Sequence, residues 1–224
     1  MQSDIDMINP DFDQKDRFQE ARETMVRVQI MDRGVKDEAI LKAMRKVPRH
    51  LFVPEEYINE AYYDSPLPIG YNQTISQPYI VAYMTEVAKP DLSKTALEIG
   101  TGSGYQAAIL AETVKKVYSI EIVPELARES AERLKNLGYN NVVIKYGDGY
   151  QGWKEFSPFD IVIVTAAAEQ IPGPLIEQLA ENGRLVIPIG EPSAVQELIL
   201  LVKKNGKIEK SRLTFVRFVP FKRL

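Results

Sequence analysis

The stretch ALEIGTGSGYQAAIL, residues 96–110, decides the fold. Its apolar beginning predicts a short buried strand, the glycines Gly100, Gly102 and Gly104 predict a tight turn, and its small and apolar end predicts a helix. Backbone without Cβ atoms can approach a ligand closely. Position 105 is a tyrosine where the dinucleotide fingerprint needs glycine or alanine, and the Gly-Lys-Ser/Thr ending of a phosphate-binding loop is missing. The turn therefore predicts a ligand site that lacks both pyrophosphate patterns.

Strand and helix patterns alternate around this turn. Short apolar runs predict strands at residues 95–99, 117–121, 141–146, 159–166 and 183–190. Helical patterns separate these runs at residues 104–113, 124–137 and 172–180. The alternation predicts an α/β fold with a doubly wound, mostly parallel sheet of the Rossmann-like type, whose ligand lies outside the carboxyl ends of the strands. Two last runs, residues 196–204 and 213–221 around a tight Asn205-Gly206 turn, predict a C-terminal antiparallel hairpin and a total of seven strands.

The first third of the chain has a different character. Helical spacing of apolar residues predicts helices at residues 17–31 and 36–47, and a segment rich in proline and aromatic residues follows. We therefore expect one domain, residues 1–224, in which residues 1–75 form an N-terminal helical cover and residues 76–224 the Rossmann-like core. Residues 1 to about 15 are polar and acidic, which predicts disorder.

Composition excludes several classes of function. The chain has no cysteine and a single histidine, so the sequence predicts no disulfide, no thiolate nucleophile and no metal site. A net charge of −3 gives no reason to expect a nucleic-acid partner, and no apolar run is long enough to span a membrane. The polar N-terminus lacks the profile of a signal peptide, which predicts a cytoplasmic protein. Nothing in the sequence indicates the oligomeric state.

Acidic residues lie at the ends of three successive predicted strands. Glu121 closes the second strand, where a carboxylate can accept both hydroxyls of a ribose. Glu98 lies just before the glycines, within reach of an amine lying over the loop, and Asp148 follows the third strand, where it could accept an adenine amino group. A ligand with a ribose, an adenine and an amino-acid tail but no phosphate is S-adenosyl-L-methionine. We therefore expect that cofactor beside the glycine loop.

Other functions remain open on these residues alone. Tyr150 and Lys154 have the spacing of the short-chain dehydrogenase pair, but Gly152 disfavours the helix that this spacing requires. A methyltransferase acting on a small molecule or nucleic acid is a second possibility. Residues 165–172, TAAAEQIP, lack the Asn/Asp-Pro-Pro-aromatic motif typical of amino-directed enzymes, and cytosine-carbon enzymes need a cysteine. A module that binds S-adenosylmethionine without catalysis is a third possibility.

A second motif precedes the sheet. Ser76 is a good helix N-cap and Pro78 is tolerated in a first helical turn, so a capped helix is the simplest interpretation. The chain nevertheless resembles the protein-L-isoaspartate (D-aspartate) O-methyltransferase family from about residue 22 to residue 219. Asn72 and Asn182 are small departures, because glycine is common at both positions in the family. The resemblance is carried by QTISQP (73–78), VPRHLFVP (47–54), DSPLPIG (64–70), LEIGTGSGY (97–105), GDG (147–149), GRLVIPIG (183–190) and FVRFVPF (215–221).

The resemblance implies methyl transfer from S-adenosylmethionine to the free α-carboxylate of L-isoaspartyl residues in damaged peptides and proteins, which begins their repair to aspartate. It implies that Ser76 is the catalytic residue. The implied cofactor-binding residues are Gln73, Thr74, Ile75, Glu98, Gly100, Gly102, Gly104, Glu121, Ile122, Asp148 and Gly149.

The last predicted strand is the expected substrate surface. The substrate differs from ordinary peptides by a backbone methylene, so recognition through main-chain hydrogen bonds would serve many sequences. Pro220 cannot donate such a bond, which leaves the edge from Val216 to Val219 as the predicted substrate-binding segment. The alternative, a strand that is paired on both edges inside the sheet, is equally compatible with the sequence.

Overall fold

The computed structural model describes residues 18–191 and 194–224; the segment predicted to be disordered lies outside the described residues. Residues 18–31 form helix α1, in which Met25–Met31 is π-helical. The other helices are α2 (Glu38–Lys46), α3 (Pro78–Ala88), α4 (Tyr105–Ala111), α5 (Pro124–Asn136) and α6 (Gly173–Glu177). The strands are β1 (Leu67–Pro68), β2 (Thr74–Ile75), β3 (Thr95–Ile99), β4 (Lys116–Glu121), β5 (Val142–Tyr146), β6 (Phe159–Val164), β7 (Leu179–Ile189), β8 (Gln196–Lys204) and β9 (Lys207–Val216).

Seven of these strands form one sheet in the order β5-β4-β3-β6-β7-β8-β9. The pairs from β5 to β7 are parallel, whereas β8 is antiparallel to both β7 and β9. The predicted doubly wound, mostly parallel seven-stranded sheet with a C-terminal antiparallel hairpin is confirmed. The strand order reverses between β3 and β6, because β4 and β5 extend the sheet on one side of β3 and β6 and β7 extend it on the other. The loop after β3 therefore lies at the point where ligands bind in open sheets of this kind.

The sheet is central because its strands are apolar on both faces. In β3, Ala96 packs in a cluster on one face, whereas Leu97 and Ile99 belong to a second cluster on the other face. Successive side chains of a strand point to opposite faces, so a strand covered on both sides needs apolar residues at alternate and at adjacent positions. The buried Glu98 is the exception within β3. Tyr105 of α4 and Met44 of α2 share the first cluster, so the N-terminal cover and the sheet pack around a common core.

Two predicted boundaries near the C-terminus are wrong. The helix predicted at residues 172–180 ends at Glu177, because Leu179 already pairs with Phe159 as the first residue of β7. The strand predicted at residues 213–221 instead begins at Lys207, directly after the Asn205-Gly206 turn, and ends at Val216. Both turn residues have positive φ, 50° and 71°, which brings β9 into immediate antiparallel pairing.

The cover is held by polar contacts as well as by its apolar face. Asp37 caps α2 by accepting hydrogen bonds from the backbone nitrogens of Ala39 and Ile40. Arg49 follows α2, is fully buried, and donates from Nε to the carbonyl oxygen of Ala61 at 2.7 Å. Within the described ranges, no helix is long and apolar enough to cross a bilayer.

Candidate active site

The glycine loop after β3 has a backbone that other residues rarely adopt. Gly100, Gly102 and Gly104 have φ values of 95°, 51° and 89°. A Cβ atom at Gly100 would overlap the side chain of Thr165, which follows β6 and donates from Oγ1 to the carbonyl oxygen of Gly100 at 2.7 Å. The loop is therefore shaped for close packing on one side and for access to backbone atoms on the other.

Glu121 connects the end of β4 to this loop. Its carboxylate accepts hydrogen bonds from the backbone nitrogen of Gly102 at 2.7 Å and from that of Val123 at 2.9 Å. The residue is only 4% exposed, and the exposed part faces the cavity beside the loop. The carboxylate thus fixes the loop and presents lone pairs to a ligand in the same cavity.

We call this space the glycine-loop cavity. Segments from several strand ends, from the start of β2 and from the C-terminal end of the chain converge on it. It is lined by Gln73, Thr74, Ile99, Gly100, Gly102, Ile120, Glu121, Ile122, Gly149, Thr165, Ala166, Val219, Pro220, Phe221 and Lys222. The structure thus brings seven of the eleven predicted cofactor-binding residues together. Ile75 lies in an adjoining recess, and Gly104 is the N-cap residue of α4, where a Cβ would come within 3.1 Å of Leu134.

The structure corrects the expected position of Glu98. Its side chain is fully buried under the loop rather than reaching over it, and it accepts a hydrogen bond from the hydroxyl of Ser119. Ser119 is in turn 2.5 Å from the hydroxyl of Thr101, while the Glu98 Oε1 atom has no partner in the described part of the chain. Burial raises the pKa of Glu98 from its ordinary 4.5 to about 8; the hydrogen bond from Ser119 opposes this shift and the nearby charge of Glu121 reinforces it.

Asp148 is also placed differently from the expectation. One carboxylate oxygen accepts from the backbone nitrogen of Tyr150 at 3.0 Å, and the other accepts from Nε of Arg223 at 2.8 Å. Arg223 also lies over the Tyr150 ring at 3.7 Å. Asp148 does not line the glycine-loop cavity, although Gly149 beside it does. The carboxylate instead anchors the C-terminal segment that covers the cavity, and its contact with an adenine stays a prediction.

Ser76 does not cap a helix. Helix α3 begins at Pro78, its N-cap residue is Gln77, and no side chain donates or accepts a capping bond there. The N-cap interpretation of Ser76 is therefore wrong, because Pro78 fixes the start of the helix one residue later. The Ser76 hydroxyl has no hydrogen-bond partner among the described residues.

Ser76 instead lines a second depression of about 480 Å³, the Ser76 groove. The groove runs between the segment before α3 and the end of β9, and its lining includes Tyr79, Phe215 and Arg217. A smaller recess, lined by Ser76, Ile75 and the glycine loop, lies between the groove and the cavity. Thr74 lines all three spaces. Ser76 is thus at the junction of two separate binding spaces.

The predicted substrate segment divides at the end of β9. Val216 pairs with Gln196 and lines the Ser76 groove, whereas Val219 lines the glycine-loop cavity. The backbone beyond Val216 is already in use, because the nitrogen of Phe218 donates to the Gln196 side chain and the carbonyl of Val219 accepts from Ala167. The prediction of a free strand edge at residues 218 and 219 is therefore wrong. Among the strands of the described residues, β9 pairs only with β8, so the alternative of a strand paired on both edges is also wrong.

Several lining residues were not predicted from the sequence. Thr165 could have been found, since it is a polar residue near the carboxyl end of the strand predicted at residues 159–166, at the ligand edge of the sheet. Arg33 and Arg217 line the Ser76 groove from distant parts of the chain, and no local pattern marks either of them.

Three features define the class of Rossmann-like methyltransferases. They are the order of the strands in the sheet, the positive-φ glycine loop, and an acidic strand end that faces a cavity without a phosphate-binding motif. Within that class, the family model described as protein-L-isoaspartate(D-aspartate) O-methyltransferase (PCMT) matches residues 20–223. The chain belongs to this family.

Individual relatives agree with the assignment. A protein-L-isoaspartate O-methyltransferase of Opitutus terrae is 57% identical over 202 residues, which cover 90% of this chain and 87% of the relative. One of Dictyoglomus turgidum is 52% identical over 212 residues, 95% of each chain. A solved structure named as a protein-L-isoaspartate O-methyltransferase superposes with a TM-score of 0.82 at 31% identity, over 89% of this chain and 65% of that one. A Plasmodium falciparum protein of the same description, in complex with S-adenosyl-L-homocysteine, gives 0.77 at 32% identity, over 92% and 99%.

The buried carboxyl of Glu98 generates a prediction for pH. Folding raises its pKa to about 8, so between pH 4.5 and 8 the folded protein keeps a proton that the unfolded chain releases. The free energy of unfolding should therefore fall as pH rises through this window, by at most about 1.4 kcal/mol per pH unit from this group. Glu98→Gln should be close to the unaltered protein in stability near pH 4 and more stable at pH 8, as measured by urea unfolding.

The exposed Glu132 of α5 offers a matched control. Glu132→Gln should leave the difference in stability between pH 4 and pH 8 as it is. Parallel stability curves for the unaltered protein and Glu98→Gln would contradict a protonated, buried Glu98.

Proposed function

We propose that the protein transfers a methyl group from S-adenosyl-L-methionine to the free α-carboxylate of L-isoaspartyl residues in damaged peptides and proteins. The observation that carries the proposal is the position of Ser76, whose unpartnered hydroxyl lies where the glycine-loop cavity and the Ser76 groove adjoin. Family membership supports the same activity. The methyl ester re-forms the succinimide ring faster than the free acid, and repeated cycles return the residue to aspartate.

The glycine-loop cavity has the chemistry that this cofactor needs. Glu121 can accept from ribose hydroxyls while it holds the loop, and Ile99, Ile120 and Ile122 offer apolar surface to an adenine. The backbone of Gly100 and Gly102 lines the cavity, where its polar atoms can contact the amino-acid tail. When bound, S-adenosylmethionine supplies an activated methyl group on a positively charged sulfur.

The groove side requires little acid–base chemistry. An α-carboxylate with a pKa near ~3.9 is ionised at neutral pH, so no general base has to remove a proton. The departing group is a neutral thioether, so no general acid is needed. Ser76 can donate one hydrogen bond to the carboxylate and orient it toward the cavity. Ser76 therefore acts by positioning the carboxylate. Holding the two reactants together in the correct geometry is sufficient to accelerate the methyl transfer.

The remaining expectations from the sequence also stand as proposals. We propose a single domain with a cover at residues 1–75 and a core at residues 76–224, supported by the apolar cluster that the two parts share. Cytoplasmic location and the absence of a nucleic-acid partner stay predictions. The described residues contain no group of three metal-ligating side chains, and the proposed reaction uses none.

The activity is tested with a matched pair of peptides. Incubation with labelled S-adenosylmethionine should give base-labile methyl incorporation into an isoaspartyl peptide, because its α-carboxylate is free. The aspartyl peptide of the same sequence should remain unlabelled. Equal labelling of both peptides, or labelling of neither, would overturn the proposed function.

Removal of the Ser76 hydroxyl should affect turnover rather than cofactor binding. A hydrogen bond to a charged group contributes about 1.5–3 kcal/mol, so Ser76→Ala should lower kcat by about one to two orders of magnitude. Cofactor affinity, measured by calorimetry, should stay nearly unchanged. Ser211→Ala, on the exposed part of β9, is the control. A kcat equal to that of the control would remove Ser76 from the reaction.

Glu121 should affect cofactor affinity. Glu121→Ala removes the acceptor for ribose hydroxyls and releases the amide of Gly102, so S-adenosylmethionine should bind more weakly by roughly 1–3 kcal/mol. Calorimetry on the folded variant measures this loss, with Glu132→Ala as the exposed control. Unchanged affinity would show that Glu121 does not contact the cofactor.

A further inference from the structure

Two cationic side chains line the Ser76 groove. Among the residues that the structure describes, the charged ones in its lining are Arg33 and Arg217, and none is an aspartate or glutamate. The protein as a whole has a net charge of −3, so the sign of the groove is opposite to that of the chain. A local field of this kind selects for ligands of complementary charge.

The two arginines differ in whether their side chains already have partners within the protein. Arg33 donates to the Asp64 carboxylate at 2.9 Å and lies over the ring of Tyr79 at 3.6 Å. Arg217 is exposed, and none of the described residues forms an ion pair or hydrogen bond with its side chain. The nearest comparable cation on β9, Arg212, is paired with Glu197 at 3.2 Å. Arg217 is therefore the groove cation that is free to pair with a ligand.

The groove is larger than one isoaspartyl side chain. Its volume of about 480 Å³ extends from Ser76 along the end of β9 to Phe215, whose side chain is 71% exposed. A peptide whose isoaspartyl carboxylate lies at Ser76 places its neighbouring residues along this wall, past Arg217. In the part of the chain that the structure describes, no strand pairs with the outer edge of β9, which leaves the approach open.

We infer that Arg217 is a specificity-determining residue that favours isoaspartyl peptides with an acidic side chain near the isoaspartyl position. This inference rests on the proposed function, because it assigns the neighbouring residues of the proposed substrate to the groove. The reacting carboxylate is common to all substrates and is positioned by Ser76. Arg217 instead distinguishes one substrate from another.

The test compares peptides that differ by one charge. A set of isoaspartyl peptides carries either Glu or Gln at one of the two positions before or after the isoaspartyl residue, and kcat/KM is measured for each. The unaltered protein should favour Glu over Gln by about two- to five-fold at one of these positions, the range of an exposed ion pair, and the ratio should shrink with added salt. Arg217→Gln should bring the ratio to about one.

Lys210→Gln is the matched control, since Lys210 is an exposed cation of β9 outside the groove. It should retain the preference for Glu. A preference that survives Arg217→Gln, or that is lost equally in Lys210→Gln, would overturn the assignment to Arg217. Equal rates for Glu and Gln peptides in the unaltered protein would overturn the inference and leave the proposed function intact, whereas no methylation of any isoaspartyl peptide would reject the proposed function itself.

Discussion

The hydrogen bond from the backbone of Gly102 to the carboxylate of Glu121 is the contact on which the site depends. It fixes a loop whose glycines have left-handed backbone conformations. Ordering such a loop is costly, because glycine loses more conformational entropy on folding than any other residue. The bond also ties the end of β3 to the end of β4. Thr165 closes the same loop from β6, so three adjacent strands hold one ligand surface.

The fold could be predicted because its determinants are local and repeated. Strand-length apolar runs separated by helical patterns specify a parallel sheet, and the position of the glycine turn locates the ligand edge. The predicted strand boundaries were wrong where the sequence lacks this apolar pattern. The first half of β9 is polar and exposed on both faces, so residues 207–212 carry no alternation to read. Only its pairing with β8 makes that segment a strand.

The candidate site was predictable where residues act through their own neighbours in the chain. The glycines, Glu121 and Gln73–Ile75 belong to short motifs, and the structure brings them to one place. Contacts between distant segments could not be read in this way. Arg223 reaches Asp148 across 75 positions, and Ser119 of the neighbouring strand donates a hydrogen bond to the buried carboxyl of Glu98. A charged residue at the end of a strand predicts a ligand contact only when no residue from a distant part of the chain already pairs with it.

The segment from Val216 to Lys222 is a common wall: its first residues line the Ser76 groove, and its last residues line the glycine-loop cavity. Thr74 faces both spaces from the opposite side. A displacement of this wall by one ligand therefore alters the space offered to the other. Thermodynamic reciprocity then requires that each ligand change the affinity of its counterpart by the same factor, whichever binds first. Any coupling between cofactor and substrate at this wall runs through a shared strip of backbone rather than through contacts between distant elements.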